Sequence, residues 1–168
     1  MVEKKGNEPP MNDTSMELVG DCEIVFARTF RAPARIVFDA WTKPELVKRW
    51  WAPKSLGVVM IGCEADIRVG GKYRYQLRNA DGSEIAFSGT YTEVTPPTRL
   101  VYTNVFEQMP GPPAIITVTF EEHDGKTALV SRELYPSKEV RDIVVSSGME
   151  HGMRENMNQL DEVIASLT

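Results

Sequence analysis

KYRYQLRNADGSEIAFSGTYTEV, residues 72–94, reads as two strands joined by a tight turn. Asp81-Gly82 carries hairpin turn chemistry, and apolar and polar residues alternate on both sides of it with the period of a half-buried strand. Tyr73, Tyr75 and Leu77 share one face, while Lys72, Arg74, Gln76 and Arg78 take the other. Beyond the turn, Ile85, Phe87, Gly89 and Tyr91 share a face. A hairpin with one face this rich in aromatic rings is stable only when a second layer covers that face.

Working outward, LGVVMIGCEAD (56–66) reads as a strand that enters the hairpin through a turn at Gly70-Gly71. Downstream, RLVYTNVFE (99–107) places Leu100, Tyr102 and Phe106 on one face. AIITVTFEE (114–122) and KTALVSREL (126–134) follow, joined by Asp124-Gly125. CEIVFARTFR (22–31) is the first strand, and two short helices begin near Pro33 and Pro44. In the first helix Ile36, Val37, Ala40 and Trp41 form the apolar face.

From Ser137, a suitable N-cap, the stripe Val140, Ile143, Val144, Ser147, Met153, Met157, Leu160, Ile164 and Leu167 keeps helical period. Gly148 and Gly152 interrupt it, each costing up to about 1 kcal/mol relative to Ala, which implies a close approach, a bend or a non-helical first turn before Gly148. Short connections make the strands antiparallel, and only this long helix is large enough to cover them. The expectation is an α+β fold: a disordered tail over 1–18, then one domain over 19–168.

The 168 residues suffice for a core without disulfides. A net charge of −5 argues against a nucleic-acid binder. Cys22 and Cys63 are the only cysteines and no histidine cluster occurs, so neither a metal site nor a cofactor is expected, and a reducing cytoplasm is the simplest compartment. No signal-peptide core or membrane-spanning stretch is visible.

RTFRAPARIVFDAWTKPELVKRWWAP, ADIRVGGKYRY, DGSEIAFSGTYTEVTPPTRLVYT and MEHGMRENMNQLDEVIASL occur in this order. Together they resemble the START-like homologues of the activator of heat-shock protein 90 ATPase, over about Cys22 to Leu167. The resemblance implies a helix-grip (START-like, Bet v 1-like) fold, a cavity between sheet and helix, and commonly a homodimer. Relatives often carry Gly-Trp on the last helix, where Gly152-Met153 stands here. The chaperone activators add a separate N-terminal domain that 168 residues do not accommodate, so chaperone interaction is not expected.

The inward aromatic face suits a small hydrophobic or aromatic ligand. Candidate binding residues are Tyr73, Tyr75, Phe87, Tyr91, Tyr102 and Phe106 on the strands, with Trp50 and Trp51 at the short helices. Met149, Met153 and Met157, spaced by four on the last helix, form an adaptable wall. His151 is the candidate acid–base group, whereas His123 belongs to an exposed turn. Asp66 organises the Arg68-to-Gly71 turn, and Cys63 reads as an inert buried thiol. No catalytic triad, phosphate loop or paired-carboxylate spacing occurs. A binding protein is the first reading; a cyclase- or aromatase-like enzyme using the same cavity and a chaperone-cofactor-like module are the alternatives.

Overall fold

A computed structural model describes residues 8–168, so residues 1–7 of the tail expected over 1–18 lie outside the described residues. The described residues form one eight-stranded antiparallel sheet in the order β1-β2-β8-β7-β6-β5-β4-β3. Its strands are β1 (Ser15–Val19), β2 (Glu23–Phe30), β3 (Val59–Ala65), β4 (Lys72–Arg78), β5 (Glu84–Thr95), β6 (Arg99–Phe106), β7 (Ala114–His123) and β8 (Lys126–Leu134). The decisive hairpin is β4–β5, with Tyr75 opposite Phe87 and Tyr73 opposite Gly89.

Two sequence expectations are corrected. Residues 15–18, expected in the tail, belong to β1, which pairs with β2 from Ser15 opposite Ala27 to Val19 opposite Glu23. Without β1 the backbone of β2 would be an open edge; the five-residue SMELV is too short and too polar for its alternation to stand out. The buried Arg141 fastens the β1–β2 turn by donating to the Gly20 carbonyl at 2.7 Å.

The expected single C-terminal helix is two, α3 (Lys138–Ser146) and α4 (Met149–Ser166). Gly148 separates them at φ +81°, a left-handed conformation costly for residues with a Cβ. Ser137 caps α3 as expected, its hydroxyl accepting from the Val140 N–H. Upstream, α1 (Ala34–Thr42) and α2 (Pro44–Val47) follow β2.

The inner face of the curved sheet carries Phe26, Phe30, Leu129, Val118, Phe120 and Leu100, all buried. Against them α4 lays Met153, Met157, Leu160, Val163 and Ile164. Polar contacts fix how α4 sits. Arg28, 2% exposed on β2, donates to Asn158 at 2.6 Å and to Asp161 at 3.0 Å. At the other side, Gln159 donates to the carbonyls of Trp50 and Ala52, and Asn156 to that of Trp51. These bonds hold the segment after α2 against α4 and so set the mouth of the space between helix and sheet.

Candidate ligand cavity

Aromatic rings on the inner face do not close completely against α4. A cavity of about 280 Å³ remains between β4, β5, β6, β8, α4 and the segment after α2. It lies just below the roughly 300–1,000 Å³ typical of small-molecule sites, a size suited to one or two rings rather than a long acyl chain.

Nine of the eleven proposed binding residues line this space. Tyr73, Tyr75, Phe87 and Tyr102 come from the sheet, and Trp50 and Trp51 from the loop after α2. Met149, Met153 and Met157 come from α4, Met149 half-buried and the other two buried. Trp50 also has a structural role: its indole N–H donates to the Ala40 carbonyl at 2.8 Å, and its ring lies 5.1 Å from that of Trp41. Trp51 is only half-buried and stands edge-on to Tyr75 and Phe87, each at 5.1 Å between centroids.

The other two stand behind the wall. Tyr91 packs on Tyr73 and Tyr102 at 5.5 and 5.8 Å, and Phe106 supports Phe87 at 5.1 Å. His151 is exposed and takes no part in the wall. It is two residues from both Met149 and Met153, which on a helix means about 200° of rotation away from them. The acid–base role expected of His151 is therefore corrected: its imidazole is exposed and outside the cavity wall.

Polar groups that the sequence reading passed over also reach the cavity. Asn104 shares a face with Tyr102 and Phe106, and the Tyr73 hydroxyl is 2.8 Å from both its side-chain oxygen and the Thr103 carbonyl. Ser131 and Glu133 share a face with the buried Leu129. Period-two alternation in KTALVSREL permits this assignment, but Val130 and Leu134 make the opposite face look equally apolar. Glu133 accepts from the Tyr135 hydroxyl at 2.6 Å. Burial raises its carboxyl above the usual carboxylate range, an effect this hydrogen bond partly offsets. Desolvation likewise raises the phenols of Tyr73, Tyr75 and Tyr102, and pushes Tyr91 up to about 12. At neutral pH these tyrosines are hydrogen-bonding phenols, not bases.

Asp66 accepts from the Arg68 guanidinium at 2.7 Å and its backbone bonds across the turn to Lys72. The basic face of β4 is neutralised, Arg74 by Glu107 and Arg78 by Glu84. Among the described residues, no group of three His, Cys, Asp or Glu side chains is placed to hold a metal, and no helix is long and apolar enough to cross a membrane.

Cys63 is buried, and desolvation moves its thiol from 9.0 to about 11. Disulfide-exchange reagent at pH 8 is expected to modify the half-buried Cys22 well before Cys63, read by peptide mass. Because the folded state favours the protonated thiol, its stabilising contribution is complete below pH 9 and lost as pH rises through 11. Cys63→Ala should flatten that part of the stability profile; an unchanged slope would contradict the assignment.

A curved antiparallel sheet gripping a C-terminal helix around an internal cavity defines a START-like domain, in a superfamily of ligand-binding or cofactor-type modules. Residues 31–165 match the family described as Activator of Hsp90 ATPase homolog 1-like protein, and the chain belongs to that family. Solved structures agree in fold. A Rhodobacter sphaeroides protein superposes with a TM-score of 0.84 at 24% identity, covering 93% of this chain and 100% of its own. A Staphylococcus epidermidis protein gives 0.74 at 29% identity, covering 92% and 95%. An AHSA1-like protein from Aeromonas hydrophila gives 0.65 at 20% identity, covering 85% and 93%. No curated protein matches the sequence.

Proposed function

We propose that this protein binds a small hydrophobic or aromatic molecule in the cavity between α4 and the sheet. The observation that carries the reading is the wall itself: aromatic rings and three methionine thioethers around about 280 Å³ of space in an otherwise packed core. Filling such a space with water would leave most of its surface unsatisfied, whereas an apolar ligand restores the missing dispersion contacts. The half-buried Trp51, Met149, Val58 and Ile85 mark the side from which a ligand enters. A homodimer and a cytoplasmic location belong to the same proposal; light scattering reads the first.

A thermal-shift series with naphthalene-sized probes tests it. Ligand at a hundredfold excess over Kd stabilises by about 2.7 kcal/mol, equivalent to roughly 5 to 10 °C for a domain of this size. Trp51→Ala, which opens the wall, should reduce the shift. No shift from any apolar probe would contradict the reading.

One observation favours a second, enzymatic reading: Glu133, Ser131, Asn104 and Tyr102 bring polar groups to the same cavity. Recovery of bound probes and mass measurement separates the two, since a binder returns them unaltered.

A further inference from the structure

Among the described residues that line the cavity, Glu133 is the only carboxylic acid. Glu133 lies on the inner face in a cross-strand row that runs from Ile24 on β2 through Glu133 to Ile116 on β7 and Tyr102 on β6. One of its carboxyl oxygens receives the Tyr135 hydroxyl; the other has no hydrogen-bond partner among the described residues. Ser131, one step back on the same face and 1% exposed, has a buried hydroxyl with no partner either.

The inner-face cation of the neighbouring β2, Arg28, is engaged by Asn158 and Asp161 and does not line the cavity. No lysine, arginine or histidine lines the cavity among the described residues; its other ionisable groups are the phenols of Tyr73, Tyr75 and Tyr102, and the Tyr135 phenol donates to Glu133. An ionised carboxylate in such surroundings is costly unless something pairs with it. The rings of Tyr73, Tyr102, Trp41 and Trp50 line the same wall, and an aromatic face attracts a cation.

We infer that the cavity selects a ligand with an apolar, ring-sized body and one basic nitrogen, the ammonium group pairing with Glu133 and its N–H bonds reaching Ser131. The inference rests on the ligand-binding reading and names the ligand class for that site. It follows that anionic ligands are disfavoured, because a carboxylate would face Glu133 with no cation between them.

Three probes of one shape test it: naphthylmethylamine, naphthylmethanol and naphthoate, titrated calorimetrically into the full-length protein and into Glu133→Gln. A charge-assisted hydrogen bond should make the amine bind roughly ten- to a hundredfold tighter than the alcohol in the wild type, with naphthoate weakest. Glu133→Gln preserves size and can still accept from Tyr135, so it should weaken the amine far more than the alcohol and erase the amine's advantage. Alcohol binding also verifies that the variant has folded with its cavity intact. Equal binding of amine and alcohol in the wild type, or an amine advantage that survives in Glu133→Gln, would overturn the inference while leaving the binding function standing. If none of the probes binds, the binding function itself fails and the inference with it.

Discussion

Gly89→Val should lower the stability of the domain by about 3 kcal/mol or more, the upper range for overpacking a dense core. Gly89 lies on β5 opposite Tyr73, where the sheet and the aromatic wall meet. A Cβ there would stand 1.7 Å from the Thr103 carbonyl oxygen and 2.8 Å from the Tyr73 ring. The first obstacle is backbone of β6 and cannot swing aside. The second is a ring held by its hydroxyl at Thr103 and Asn104. Relief would therefore separate β5 from β6 and displace a wall residue at once. Urea denaturation measures the loss, with Gly111→Ala as control because a Cβ at Gly111 meets nothing within 4 Å. A Gly89→Val protein with wild-type stability would refute the close approach.

Asp161→Ala is expected to cost about 3 kcal/mol, because it strips a buried guanidinium of its counter-charge. The Arg28 side chain is 3% exposed, whereas Asp161 is 35% exposed and can regain water if its partner is lost. The two sides of the pair are therefore not equivalent. Removing the acid strands a buried cation that keeps only neutral partners, chiefly Asn158. Arg28→Met replaces the cation with an apolar chain beside Phe26 and Phe30 and should cost distinctly less. Denaturation midpoints for both variants decide the point. Equal losses, or a larger one for Arg28→Met, would show that the pair matters by packing rather than by charge.

The fold was legible where local chemistry was strong. Asp81-Gly82, Asp124-Gly125 and two-residue alternation located β4, β5, β7 and β8, and the stripe from Met153 to Ile164 identified the face of α4 that meets the sheet. β1 escaped because its existence depends on an edge that only the assembled sheet creates. The break at Gly148 was visible as a glycine, but whether it bends the chain or merely weakens a helix depends on packing.

The site was legible for the same reason and missed for a related one. Aromatic residues announce an inner face, so most of the wall could be named in advance. Glu133 and Asn104 obey the same alternation as their buried neighbours, yet their polarity assigns them to solvent whenever composition outweighs register. Tyr91 and Phe106 show the converse: side chains on the cavity face can stand behind other rings instead of touching the space.

If the space under α4 holds a ligand, filling it should abolish binding. Met153→Trp places a large flat ring at a buried position on the cavity wall. Calorimetric titration with naphthylmethanol should give saturable binding of one molecule per chain for the wild type. Met153→Trp, confirmed as folded by its melting transition, should give none. A wild-type protein without measurable heat, or a variant that binds as well as the wild type, would contradict the claim.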